Sequence, residues 1–217
     1  MAKKFNVVDT LENAFKTVFN EPEFMLLFVL PTVVMFGMMA MLGVTFLYSM
    51  GAAAPAYMGA GIFGYMVVFI AVIYILFSWA AASTVIKAEA SSRRKRMKVS
   101  EAFSLGLSKT PKLIAANLIM TAIVVAGFVA LIIPGIYLMV RLALVQPACV
   151  LDKKGLGIKS AWEASKGNFW RLFALMLLIS VVSMVLSMVP LVGMFISLLV
   201  VSPAGLVAYV MAYRKLK

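Results

Sequence analysis

Polar positions in this sequence are few and bunched, and long apolar stretches run between the bunches. The apolar stretches cover about residues 24–50, 61–86, 113–133, 135–151, 172–189 and 191–213. A helix needs about 17–25 mainly apolar residues to cross a bilayer, so six spanning helices are predicted, the fourth being the shortest. Nothing alternates with period two, as the strands of a closed barrel would. Pro31, Pro147 and Pro203 fall inside these segments and are the expected helix breaks, each leaving backbone carbonyls without partners.

Ahead of the first segment, Val8, Leu11, Phe15 and Val18 recur at helical spacing, with Asp9, Glu12, Asn13 and Lys16 on other faces. This predicts an amphipathic helix lying in the membrane interface. Asp9 and Glu12 have capping-box spacing, which sets the expected helix start. Lys3 and Lys4 precede this polar stretch rather than a short apolar core, so a cleavable signal peptide is not expected.

The arrangement recurs. Ala14-Phe15 is followed by Asn20-Glu21-Pro22, Ala102-Phe103 by Thr110-Pro111, and Ala161-Trp162 by Gly167-Asn168. Asn20, Thr110 and Asn168 are suitable N-caps for the spanning helices that follow, and a proline in the first turn costs little. Pro134 and Pro190 open the fourth and sixth segments. A matching motif follows each, Val145-Gln146-Pro147-Ala148 and Val201-Ser202-Pro203-Ala204, its proline thirteen residues after the first. The fold class predicted is an all-α polytopic membrane protein, a single domain over 1–217. It consists of three repeats, at about 6–90, 99–151 and 156–214, each an interfacial amphipathic helix plus a transmembrane hairpin. Ala122, Ala126 and Ala130 have the spacing for close helix contact.

Charge then fixes an orientation. The 217 residues hold 20 Lys and Arg against 8 Asp and Glu, a formal net charge of +12. In a soluble protein that excess would suggest nucleic acid. Here 64% of residues are hydrophobic, 13% are charged and the mean hydropathy is +1.05, so membrane topology must be tested first. Basic residues occupy the N-terminus, the run Arg93, Arg94, Lys95, Arg96 and Lys98, the connection between the fourth and fifth segments, and the C-terminus. The alternate connections (51–60, the Pro134 turn and the Pro190 turn) hold no charge of either sign. Both termini are therefore expected to be cytoplasmic, in the plasma (inner) membrane of a prokaryote, with no role for nucleic acid. The basic run has the composition that meets anionic headgroups, although topology alone also accounts for it.

Arg141 stands apart, seven residues past Pro134 and about 10 Å into its segment. An arginine at that depth costs at least a few kcal/mol and commonly faces a ligand, a pathway or helix carbonyls. With Gln146 and Asn117 as candidate neighbours, it marks an anion or lipid-headgroup site, with a purely structural strut as the alternative. The chain has no histidine and one cysteine, so a Ser-His-Asp triad, a histidine metal site and an intrachain disulfide are excluded. No catalytic residue, metal or cofactor is expected, and lone Cys149 is expected to be inert. Trp162 and Trp170 are expected at the interface.

Residues 134–173 resemble a known family. Pro134-Gly135-Ile136-Tyr137-Leu138, Arg141, Pro147, Trp162-Glu163 and Lys166-Gly167-Asn168-Phe169-Trp170 are similar to the membrane domain attached to some bacterial glycerophosphoryl diester phosphodiesterases. They are equally similar to its free-standing, uncharacterised bacterial and archaeal relatives. Ala161 departs from the pattern, which usually has serine before the tryptophan, and no phosphodiesterase domain is present in this sequence. The resemblance implies the membrane part alone, with no hydrolase activity and no catalytic residues. The expected function is a non-enzymatic scaffold or lipid-interacting module supporting a partner enzyme or transport system. Its partners would be membrane lipids, especially anionic ones, and a membrane or cytoplasmic protein, with room for a homo-oligomer. The alternative is a small transporter or channel for an anionic or amphiphilic substrate coordinated by Arg141.

Overall fold

Apolar surroundings leave a backbone only one economical answer over these stretches, because each N–H and C=O must find its partner within the segment. The computed structural model describes residues 5–51, 57–93, 95–152, 155–189 and 192–217. Helix makes up 88% of it, with no strand among the described residues, so the class is all-α. The elements are α1 (Val7–Asn20), α2 (Glu23–Gly51), α3 (Tyr57–Ser92), α4 (Val99–Ala130), α5 (Ile132–Leu142), α6 (Val145–Leu151), α7 (Ile158–Ala164), α8 (Phe169–Ser187), α9 (Val192–Ile196), a π-helical turn (Ser197–Val201) and α10 (Ser202–Leu216). Six stretches are long and apolar enough to cross a membrane: Glu23–Leu47, Gly61–Ser92, Val99–Ala130, Ile132–Leu151, Phe169–Ser187 and Val192–Leu216. The Pro190 turn, residues 52–56 of the 51–60 connection, Lys3, Lys4, Arg94, Lys153 and Lys154 lie outside the described residues.

Several local expectations are corrected. α1 starts at Val7, because Asn6 is the N-cap and its side chain accepts from the Val8 N–H at 3.1 Å. The Asp9–Glu12 pair therefore lies inside the helix. Thr10, Ala14 and Val18 face the core while Val8 is exposed, so the buried stripe is rotated from the expected one. Pro31 and Pro111 break nothing: α2 and α4 run straight through them. A proline removes one hydrogen bond. Unwinding the helix there would free several backbone groups at several kcal/mol each in an apolar medium, so continuity wins. Around Pro111 the Ser108 and Thr110 hydroxyls donate back to the Leu105 and Gly106 carbonyls at 2.7 and 2.9 Å. Thr110 is thus mid-helix, and Asn20 is the last residue of α1. Asn168 does hold the cap position of α8, but makes no side-chain cap bond.

Pro147 and Pro203 do coincide with irregular backbone, each time on the N-terminal side. α5 stops at Leu142 and α6 restarts at Val145. The carbonyl that the Pro147 ring crowds, four residues back, belongs to Ala143 in that gap. The π turn Ser197–Val201 likewise precedes Pro203, and the Ser202 hydroxyl donates to the Ser197 carbonyl at 3.1 Å.

The close-packed core occupies one half of the bundle. It gathers Phe24, Leu27 and Phe28 of α2, Ala80, Ala82 and Val85 of α3, Leu113 and Ala116 of α4, and Leu172 and Leu175 of α8 around α6 and α10. Toward the other half the side chains are exposed, as with Leu47, Phe63, Val129 and Met188. Links there include Phe36 stacked on Phe195 at 4.4 Å and the Tyr65 hydroxyl donating to the Met38 carbonyl at 2.6 Å. The close α4–α5 approach uses Gly127, where an added Cβ would lie 3.1 Å from the Gly135 Cα, whereas Ala122, Ala126 and Ala130 are exposed. Small residues permit backbone contact only on the face that meets a neighbour.

Two glycines before α7 have left-handed backbone, Gly155 at φ 71° and Gly157 at φ 76°. A Cβ at Gly157 would also press within 2.7 Å of the Ala148 carbonyl carbon and the Cys149 Cα, whereas one at Gly155 meets nothing. Gly157→Ala should therefore lower stability by ~3 kcal/mol or more and Gly155→Ala by only ~1 kcal/mol, checked by thermal melts in detergent.

Candidate functional site

Among the described residues, ion pairs cluster around Lys87, Glu89 and Asp152, beside the packed core. Lys87, near the C-terminal end of α3, is 2% exposed. Its ammonium donates to Glu23 at 2.6 Å and to the Met97 carbonyl at 2.9 Å, sits 3.5 Å from Glu21, and lies 5.3 Å from the Phe24 ring centroid. One buried cation thus joins the α1–α2 connection, α3 and the approach to α4. Ser91, one turn further along α3, donates to Glu21 at 2.7 Å. Lys87 lies just past the apolar stretch 61–86 and is not among the site residues predicted from the sequence. The signal was present: Thr84, Lys87 and Ser91 repeat at helical spacing, extending a polar stripe down a face that is otherwise alanine.

A second cluster closes the same end. Lys112 of α4 donates to the Cys149 and Asp152 carbonyls at 2.7 and 3.0 Å, capping the end of α6. Asp152 accepts from the buried Tyr213 hydroxyl at 2.8 Å and pairs with Lys217. Burial pushes the Asp152 carboxyl up, but donors from Lys217, Ser160 and Tyr213 outweigh it and hold the group below the usual carboxylate range. The Lys217 ammonium is raised, chiefly by its bond to Asp152 and against some desolvation. Glu89 pairs with Arg93 at 2.7 Å and with Arg214 at 3.4 Å, and Arg214 also donates to Ser92. These groups line a cavity of about 300 Å³. Of the predicted basic run, Arg93 is tied to Glu89, Lys95, Arg96 and Lys98 are exposed, and Arg94 is outside the described residues.

Arg141 is the last turn of α5 and 6% exposed. Its guanidinium lies over the Trp162 ring at 4.4 Å and near the Tyr137 ring at 5.8 Å. Tyr137 in turn stacks on Phe169 at 5.4 Å, so α5, α7 and α8 meet in one aromatic cage. The Arg141 Nε has no hydrogen-bond partner, and among the described residues no carboxylate pairs with this cation. A desolvated cation–π contact supplies roughly 2 kcal/mol, less than the several kcal/mol that burying an ion costs. The contact with α7 also changes the expected depth. Because the chain bends after Leu142, Arg141 lies beneath a short helix of the charged end rather than at an isolated mid-segment position.

The proposed companions do not join it. No hydrogen bond links Arg141, Gln146 and Asn117 among the described residues. Asn117 is buried with its Oδ1 unpartnered. Gln146 is half-buried and lines a separate groove of about 250 Å³ with Met120, Val124, Met176 and Tyr209. A third groove, of about 350 Å³, is walled by Ile123, Leu142, Ile158 and Trp162 with Lys159 beside them. Among the described residues, no three His, Cys, Asp or Glu side chains come close enough to hold a metal ion. Comparison with known protein families, curated proteins and solved structures finds no match for this chain.

Two outcomes follow from the ionic clusters. Lys87→Glu places a third carboxylate beside Glu21 and Glu23 and should cost ~3–5 kcal/mol, whereas Lys87→Met should cost much less, because both glutamates can rehydrate. Melting temperatures of the two variants check this. For Asp152 the folded pKa is depressed, so its stabilisation is present above about pH 4 and is lost as pH falls through the folded value. The wild-type melting temperature should fall on acidification below about pH 4, and Asp152→Asn should flatten that dependence.

Proposed function

We propose that this chain is a non-enzymatic integral membrane protein, a lipid-interacting scaffold that supports a partner enzyme or transport system. The observation that carries the proposal is the segregation of charge. Between residues 24 and 86 and between 172 and 213 no charged residue occurs, and between 113 and 151 only Arg141 does. Among the described residues, Arg93, Lys112, Arg214 and Lys217 gather with Lys87, Asp152 and Glu89 at the packed end, while large apolar side chains stand exposed elsewhere. That division suits a bilayer whose cytoplasmic face carries anionic headgroups. Both termini are accordingly cytoplasmic, in the inner membrane of a prokaryote.

Three repeated units, each an interfacial helix and a hairpin, belong to the same proposal. In its favour, Ala14, Ala102 and Ala161, the alanines of the three Ala-aromatic pairs, are fully buried, and Val145, Pro147 and Ala148 are buried alongside their counterparts Val201, Pro203 and Ala204. The architecture is that of the membrane domain resembled by residues 134–173. A small transporter for an anionic or amphiphilic substrate is the second possibility, favoured by the interrupted helix next to Arg141.

Reconstitution tests the first proposal directly. The protein should melt higher in nanodiscs containing anionic phospholipid than in zwitterionic ones, and the difference should shrink with salt and with Lys95→Glu/Arg96→Glu/Lys98→Glu. Equal melting in both lipids would overturn the lipid-interacting role. Flux of organic phosphates into proteoliposomes, abolished by Arg141→Gln, would move the assignment to the transporter.

A further inference from the structure

We infer that the groove where α4, α6, α8 and α10 meet is a binding site for a neutral two-chain lipid of the diacylglycerol class, its glycerol hydroxyl and ester carbonyls held by Gln146 and Tyr209. The inference goes beyond the headgroup contacts proposed above, because it involves no charge and a different part of the molecule. Its basis is a set of polar groups that the fold leaves open. Thr121, Gln146 and Tyr209 come from three helices to a groove of about 250 Å³ otherwise walled by side chains such as Met120, Val124 and Met176. Among the described residues, no hydrogen bond engages any of these three side chains. Thr45, Thr84 and Thr110, by contrast, each donate back to a carbonyl one turn away. Nor are the polar atoms of Gln146 and Tyr209 sealed in, as the Asn117 Oδ1 is. Ala143 lines the same groove, and Pro147, which has no N–H, leaves the Ala143 carbonyl without its helical donor. No other backbone N–H takes that place among the described residues. In an apolar medium each unmet group costs several kcal/mol, so a ligand with matching groups is favoured here.

Chemistry selects the occupant. The lining holds no charged residue, so it matches neither a phosphate nor an ammonium. The Gln146 amide NH2 requires an acceptor, whereas its Oε1 and the Ala143 carbonyl require a donor. A lipid with ester carbonyls and a free hydroxyl meets both needs, and in a phospholipid that hydroxyl is taken up by the phosphate. Depth agrees. Gln146 and Tyr209 lie about one and a half turns short of Asp152 and Arg214, roughly 8 Å along the helix axis, where a lipid without a charged headgroup can sink. Tyr209 also walls a second cavity, of about 180 Å³, with Ile179, Ser183 and Ser202. Gln146 and Ser202 are the second residues of the two V-x-P-A motifs, so each proline break stands beside a cavity and Tyr209 is common to both. A lipid with two acyl chains uses both cavities, its glycerol lying at the shared tyrosine.

Native mass spectrometry of the full chain, released from mild detergent with added dioctanoylglycerol, tests this. Dioctanoylphosphatidylcholine and trioctanoylglycerol serve as competitors that carry the same chains without a free hydroxyl. The wild type should retain one dioctanoylglycerol, and neither competitor should displace it at equal concentration. Gln146→Leu should weaken that retention by roughly ten-fold or more. Tyr209→Phe, which removes a hydroxyl that no protein group uses, should weaken it several-fold and keep the fold, so the test survives if the Gln146 variant fails to fold. Unchanged retention in Tyr209→Phe, or in a folded Gln146→Leu, overturns the site, and so does a wild type that retains no dioctanoylglycerol. Displacement by either competitor overturns the diacylglycerol assignment. The anionic-lipid role fails separately, through equal melting in anionic and zwitterionic nanodiscs.

Discussion

The buried ammonium of Lys87 is the constraint on which the packed end of the molecule depends. Removing an ion from water costs several kcal/mol, and only a complete set of partners makes the position tolerable. Those partners come from two parts of the chain: Glu21, Glu23 and the Phe24 ring where α1 gives way to α2, and the Met97 carbonyl ahead of α4. Because the cation, carried on α3, cannot be satisfied unless both are in place, it fixes the register of α2, α3 and α4 together. Hydrophobic contacts between lipid-soluble helices could not do this, since an apolar side chain gains little by exchanging lipid for a neighbour.

The core respects the same logic. Where α3 meets its neighbours it is built of Ala80, Ala81, Ala82 and Ala88, with Ser83 and Thr84 donating back to their own helix at 2.9 and 2.8 Å. Small side chains bring backbones together, and the polar groups are satisfied locally. Gly106 of α4 lies so close to Ser83 that an added Cβ would stand 3.1 Å from the Ser83 Cα. Away from this end the helices carry phenylalanine, leucine and valine outward, and the fold makes no comparable demand on their positions.

How much of this was visible beforehand depends on what kind of signal each feature leaves. Six apolar stretches announce themselves by length, since the thickness of a bilayer is a fixed ruler. The run from Thr110 to Pro111 misleads, because proline and a cap-competent residue mark a helix start in water but can be absorbed within a long helix in an apolar medium. Asp9 and Glu12 have the spacing of a cap, yet Asn6, with the better side-chain geometry, starts α1. Arg141 was legible as an anomaly, but its setting was not: the bend after Leu142 and the return of α7 bring Trp162 over it, a contact between residues 21 apart in sequence. Lys87 was missed because it adjoins the charged end of its segment, where a lysine is normally solvated.

The π turn at Ser197–Val201 has an effect beyond accommodating Pro203. One extra residue per turn shifts helical phase by about 100°, so α9 and α10 are not one amphipathic rod but two with different bearings. On the α9 side Phe195 is committed to Phe36 of α2, while on the α10 side Val207, Ala208, Val210 and Ala212 are buried. The last membrane-length stretch therefore answers to two sets of neighbours at once. The inserted residue acts as a splice between them, and a sequence one residue shorter at this point could satisfy either set but not both.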